Sequence, residues 1–187
     1  LVVLMLDLFI KRKDIVAFLS ILSAGAVAYT VMISSGSVFS GMYIADGYSI
    51  FFKIIFLISL VLSILISLRY LEVEKVNFGE YYTLMLFSVL GMMIMASAGD
   101  LIVLYLGLEL MALSIYVLAG FLRHDPRSNE AALKYFLLGA FASALLLYGT
   151  SLIYGMTGTT NLCGIANHIA TAGIKDNPAL MFSMILF

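Results

Sequence analysis

The sequence predicts an all-α fold, a bundle of transmembrane helices that crosses the bilayer several times. Of its 187 residues, 63% are hydrophobic and 11% are charged, whereas soluble domains carry about 45–50% apolar and about 25% charged residues. The apolar residues form runs of roughly 20, long enough to cross about 30 Å of hydrocarbon as helices. Helices also satisfy every backbone polar group within the lipid. We therefore predict about five complete spans and a partial span at each end.

The complete spans are separated by short polar segments. A partial span at 1–10 precedes a basic cluster at 11–13, and a second partial span lies at 178–187. Both terminal runs are too short to cross a bilayer, so we expect a fragment of a longer single transmembrane domain, residues 1–187. The complete spans are predicted at about 14–34, 48–68, 80–98, 101–122 and 129–154.

The connections contain residues that start helices. Asp100 is predicted to cap the span at 101–122, because its carboxylate can accept N–H groups of the first turn. Ser128, with Glu130 close to the capping-box position, is predicted to cap the next span. Residues 155–177 are polar and contain glycine, so we predict a loop throughout. No strand pattern is predicted in any part of the sequence.

Basic residues are concentrated in alternate connections. The segments 11–13, 69–75 and 123–127 hold three, two and two lysines or arginines, and the opposite side holds only Lys175. By the positive-inside rule, these three basic segments face the cytoplasm. The regular alternation also supports the number of spans.

Composition excludes several kinds of site. The net charge is −1, so no basic excess points to a nucleic acid partner. Cys163 is the sole cysteine, which excludes an internal disulfide and a thiolate metal cluster. The two histidines, His124 and His168, fall in predicted loops, and we assign them no role.

Glu109 is the acid that the prediction places in the middle of a span. It follows Asp100 by nine residues, which corresponds to roughly 13 Å of helix. A charge at this depth costs about 2.5–3.5 kcal/mol on insertion scales, and such residues usually face a bundle interior or a water path. Tyr105 and Tyr116 share its helix face and offer hydroxyl groups. The alternative is a neutral glutamate that only hydrogen-bonds two helices.

Two lysines also lie within predicted spans. Lys134 is about 9 Å into its helix, with Glu130 at i−4 as a cap and counter-charge. Lysine changes its protonation state readily on burial, although Lys134 could also snorkel to the surface. Lys53 lies near the outer end of its span, where we expect snorkelling. Gly139 and Ser143 have small-xxx-small spacing, which we interpret as helix packing.

Two motifs carry a family resemblance. Leu-Gly-Leu-Glu-Leu around Glu109 and Leu-Lys-Tyr-Phe around Lys134, at this separation, resemble the antiporter-like membrane subunits of respiratory complex I, the NADH-quinone oxidoreductase. The flanking Leu-Gly-Ala-Phe-Ala-Ser at 138–143 favours the N type of subunit over the L and M types. Lys53 is a departure, because it matches no feature of the family pattern.

The resemblance implies a non-redox, proton-translocating subunit of an enzyme complex, with about fourteen spans in the whole subunit. Glu109 and Lys134 would carry protons as neighbours in one relay, with Glu130, Tyr105 and Tyr116 in support. The usual partner of the glutamate is a lysine on the seventh, broken helix, which would begin at Pro178.

The resemblance also implies partners and a location. The partners would be other membrane-arm subunits and the lipid bilayer of the bacterial inner (plasma) membrane. This chain would bind no cofactor and no metal, and NADH, FMN, iron–sulfur clusters and quinone would belong to other subunits. One alternative is a subunit of a multisubunit cation/proton antiporter of the same superfamily. Another is an assembly scaffold with incidental buried charges.

Overall fold

A computed structural model of the chain describes residues 13–73, 79–172 and 178–186, together with Val3 and Met5. Four helices in these ranges are long and apolar enough to cross a membrane, and a fifth, of 17 residues, is apolar but shorter. The predicted class, a transmembrane helical bundle, is confirmed. The helices are α1 (Lys13–Ile33), α2 (Gly47–Val73), α3 (Glu80–Ala96), α4 (Leu101–Ala119), α5 (Pro126–Thr157), α6 (Leu162–Ala172) and α7 (Pro178–Leu186).

The start of α5 differs from the prediction. The helix begins at Pro126, and the side chain of Asp125 caps it by accepting the N–H of Arg127 at 3.0 Å. Proline is favoured at the first helical position because the N–H it lacks would have no intrahelical partner there. Ser128 is therefore not the cap. Its hydroxyl donates to the carbonyl of Ala119 at 2.8 Å and ties the start of α5 to the end of α4.

A β-hairpin occupies the segment between α1 and α2, so the prediction of no strands was wrong. Strands β1 (Gly36–Val38) and β2 (Tyr43–Ala45) pair antiparallel, with Ser37 opposite Ile44. Each strand has three residues, too few for an alternating pattern to be visible in the sequence. The turn between them uses positive φ angles, including those of Phe39 and Gly41.

Helix α6 lies inside the predicted loop 155–177, and the prediction was wrong for these residues. The helix has 11 residues, too few to span a bilayer. It buries Ile165, with Ile169 packed alongside, against Leu101 and Ile153. The apolar residues of α6 thus pack against the start of α4 and the end of α5.

The link between α3 and α4 is held from two sides. On one side, the N–H of Gly99 donates to the carbonyl of Met42, in the turn of the hairpin, at 2.9 Å. On the other, the N–H of Leu101 donates to the carbonyl of Thr160 at 2.9 Å. A Cβ at Gly99 would lie 2.2 Å from the carbonyl oxygen of Gly41, so this close approach requires glycine. These contacts fix the position at which α4 begins.

Helices α3 and α4 approach each other closely through two glycines. A Cβ at Gly91 would lie 2.6 Å from the carbonyl oxygen of Gly107 and 2.6 Å from the amide nitrogen of Met111. Small residues at such crossings let backbones pack directly in a bilayer, where lipid offers no hydrophobic driving force for association. This crossing holds α4 against the α1–α2–α3 core, whose buried members include Val16, Leu57, Leu60, Ile64, Val89 and Met93.

Asp100 caps α4, as predicted. Its side chain is buried, and Oδ1 accepts the N–H of Ile102 at 2.8 Å. Oδ2 accepts from the hydroxyl of Thr160 at 2.6 Å, which connects the cap to the segment before α6. The carboxylate therefore satisfies one backbone donor and one side-chain donor at once.

We expect Asp100→Ala to lower the free energy of unfolding by about 2 kcal/mol, because the first turn of α4 and the partly buried hydroxyl of Thr160 both lose their acceptor. Thermal unfolding of the full-length protein in detergent measures the change. Asp125→Ala is the matched control, since Asp125 caps α5 at a more exposed site with one hydrogen bond. Equal losses in the two variants would contradict the role given to the Thr160 contact.

Candidate functional site

Glu109 is the ninth of the nineteen residues of α4, close to the middle of the helix. Its side chain is half-buried, and Oε1 accepts a hydrogen bond from the hydroxyl of Ser143 on α5. The hydroxyls of Ser143 and Tyr105 lie 3.1 Å apart. The structure therefore brings Glu109, Ser143 and Tyr105 together in one hydrogen-bonded chain. The small-xxx-small spacing of Gly139 and Ser143 predicts only helix packing, so the hydrogen bond from Ser143 to Glu109 is not visible in the sequence.

Tyr116 joins α4 to α5 through its ring and lies in a separate contact from the Ser143 chain. The ring packs edge-on against Tyr135 and Phe136, with centroids 5.0 and 5.7 Å away. A Cβ at Gly139 would lie 1.8 Å from the Tyr116 hydroxyl oxygen. Tyr116 thus occupies the space that Gly139 leaves open, and this aromatic contact sets how the two helices face each other.

Lys134 and Glu130 form an ion pair one turn apart on α5, with Nζ 2.5 Å from Oε1. The two side chains are 71% and 63% exposed in this chain. Lys134 precedes Ser143 by nine residues, which at about 100° per residue places it on the opposite face of α5. Within the described residues, Lys134 pairs with Glu130 and makes no direct contact with Glu109. Its place in one relay with Glu109 stays a prediction.

Lys53 is buried, so the prediction that it snorkels was wrong. It is 3% exposed, and its ammonium group donates to the hydroxyl of Tyr43 at 3.0 Å. The hairpin covers the residue, because Tyr43 belongs to β2 and its ring centroid lies 4.9 Å from Nζ. Burial raises the pKa of Tyr43, but the hydrogen bond from Lys53, the hydroxyl of Ser97 and the positive charge of Lys53 together outweigh it and leave the pKa below its ordinary value.

A carboxylate near Lys53 is already engaged. Asp46 accepts the N–H of Ser49 at 2.8 Å, and the Ser49 hydroxyl accepts the N–H of Asp46 at 3.0 Å. This backbone hydrogen bond from Ser49 is the main cause that holds the pKa of Asp46 below its usual range. The pair starts α2 in the manner of a capping box.

The remaining candidate ligands are scattered. In residues 13–73, 79–172 and 178–186, no three histidine, cysteine or acidic side chains gather closely enough to hold a metal ion. His124 accepts a hydrogen bond from the neighbouring Arg123 at 3.3 Å. Cys163 is exposed.

The chain resembles known membrane subunits over most of its length. Residues 98–187 match the family described as NADH:quinone oxidoreductase/Mrp antiporter, TM. The "NADH-quinone oxidoreductase subunit N" of Trichlorobacter lovleyi is 47% identical over 98% of this chain. The chain spans 39% of the length of that relative.

Solved structures show the same fold. A chain of respiratory complex I from Thermus thermophilus superposes with a TM-score of 0.77 at 28% identity, covering 99% of this chain and 39% of that one. A chain of the membrane-bound sulfane sulfur reductase, an archaeal respiratory membrane complex, gives 0.72 at 26% identity, covering 98% and 40%. The similarity therefore extends to respiratory complexes of more than one kind.

Proposed function

Because the chain belongs to the family of antiporter-like membrane subunits that includes subunit N of NADH-quinone oxidoreductase, we propose that the full-length protein translocates protons in the membrane arm of that complex. The observation that carries the proposal is Glu109, an ionisable group in the middle of an apolar membrane-spanning helix with hydroxyl partners. Intramembrane acids of this kind mark proton and ion pathways.

In the proposed mechanism, this subunit carries out no redox step. Electron transfer from NADH to quinone takes place in other subunits and changes the electric field around Glu109. A nearby positive charge favours the ionised carboxylate and its removal favours the protonated form, so a field change can load and unload the proton. The cationic partner would be the lysine that the family resemblance implies on the seventh helix.

Lys134 and Glu130 are proposed to serve the cytoplasmic end of the pathway. Helix α5 has 32 residues, about 48 Å at the helical rise, which exceeds a hydrocarbon core of about 30 Å. The first turns of α5 can therefore reach the membrane surface, where the ion pair exchanges protons with water. In this proposal, α5 begins at the cytoplasmic surface. The positive-inside rule favours that orientation, because the basic connections at 69–75 and 123–127 then lie on the cytoplasmic side.

A second candidate function is a subunit of a multisubunit cation/proton antiporter. The family description that matches residues 98–187 names both NADH:quinone oxidoreductase and the Mrp antiporter, and the Glu109 site would suit either. The two functions differ in their energy source. One uses electron transfer, and the other uses a cation gradient.

Inverted membrane vesicles from cells with and without the full-length protein distinguish these functions. We expect NADH to acidify the vesicle interior only when the protein is present, without any requirement for sodium. Sodium-dependent proton exchange in the absence of NADH, with NADH oxidation unchanged, would instead select the antiporter. A vesicle interior that acidifies equally in both preparations would refute the proposed function.

A further inference from the structure

Two hydroxyl groups and the Glu109 carboxylate form a hydrogen-bonded chain. Counting the hydroxyl protons shows which group donates and which accepts in each hydrogen bond. Ser143 donates its single hydroxyl proton to Oε1 of Glu109. A hydroxyl has one proton to donate, so in this state the proton between Ser143 and Tyr105 belongs to Tyr105. Both O–H bonds therefore point towards Glu109.

The chain leads from Glu109 towards the end of α4 that begins after Asp100. Tyr105 is the fifth residue of α4, about 6 Å along the helix from Leu101. Its side chain is incompletely covered by this chain, whereas Glu109 lies one further turn into the membrane. In the orientation proposed above, this end of α4 faces away from the cytoplasm.

We propose that Tyr105 and Ser143 are a two-hydroxyl proton wire that connects Glu109 with the outer side of the membrane. This inference rests on the proposed function and adds a direction and two relay residues to it. It follows from the contacts of the site, in which a partly covered phenol, a serine and a carboxylate form one continuous hydrogen-bonded chain.

Release of a proton along the wire is a concerted shift. The protonated carboxyl of Glu109 gives its proton to the Ser143 oxygen, Ser143 gives its proton to the Tyr105 oxygen, and Tyr105 gives its proton to water. Each hydroxyl oxygen loses one O–H bond and gains one, so only Glu109 and water change charge. Afterwards both O–H bonds again point towards the carboxylate, as in the structure.

The test compares Tyr105→Phe, Ser143→Ala and the double variant in the assembled complex. We expect each single variant to lower proton translocation per NADH oxidised by at least about tenfold, since positioned proton transfer contributes about 10²–10⁴-fold. Because both residues belong to one wire, the double variant should lose no more than either single variant. Tyr148→Phe and Ser151→Ala are matched controls on α5 and should translocate normally. Among the described residues, neither side chain hydrogen-bonds the Glu109 site, and the Ser151 hydroxyl donates to the Tyr148 carbonyl of its own helix.

Infrared difference spectra supply a readout that helix packing alone would not change. The carboxyl band of Glu109, identified by its loss in Glu109→Gln, should move to higher frequency in Ser143→Ala as the carboxyl group loses its hydrogen bond. The proposed proton wire would be contradicted by full translocation in both single variants, by additive losses in the double variant, or by a carboxyl band that does not move. If Glu109→Gln abolishes translocation while the Tyr105 and Ser143 variants translocate normally, the proposed function is supported and the proton wire is not.

Discussion

Glu109→Gln is expected to lower the number of protons translocated per NADH oxidised by at least about tenfold, because the amide cannot bind and release a proton near neutral pH. The amide oxygen can still accept the Ser143 hydroxyl proton, so the contact between α4 and α5 is preserved. Assembly should therefore be unchanged. Proton uptake and NADH oxidation are measured together in vesicles that contain the assembled complex.

Glu80→Gln is the matched control for the loss of a carboxylate. Glu80 is exposed in the first turn of α3, and its replacement should leave translocation unchanged. Glu109→Asp keeps the carboxyl group but withdraws it from Ser143, so we expect an intermediate loss. A normal proton yield in Glu109→Gln would show that the proton pathway does not pass through this residue.

The second large effect is on stability. We expect Gly91→Ala to lower the free energy of unfolding by about 3 kcal/mol, the upper end for overpacking. The added methyl group meets the backbone of α4 at Gly107 and Met111, and a backbone cannot rotate away as a side chain can. Thermal or denaturant unfolding of the full-length protein in detergent measures the change. Translocation should fall as well, since α4 carries Glu109.

Gly25→Ala is the control for changing a helical glycine. A Cβ at Gly25 meets nothing within 4 Å, so the variant should be neutral or more stable by about 0.5–1 kcal/mol, the helix preference of alanine over glycine. A Gly91→Ala protein as stable as Gly25→Ala would mean that α3 and α4 do not pack through their glycines.

The sequence by itself determined the solvent of this protein and the class of its fold. A composition of 63% hydrophobic residues arranged in long runs leaves only transmembrane helices as a solution, and four helices of the described ranges meet that requirement. It also singled out Glu109 and the Asp100 cap, because a charge in an apolar run and an aspartate before one are local features. Such features need no knowledge of neighbouring helices.

Only the tertiary structure decided which groups meet. The hairpin that buries Lys53 depends on pairing between residues 36–45, and its strands are too short to show a pattern. Ser143 reaches Glu109, and Lys134 faces away from it, because the Tyr116–Gly139 contact fixes the rotation of α5 against α4. Sequence spacing defines the faces of one helix, but the partner of each face is set by packing between helices.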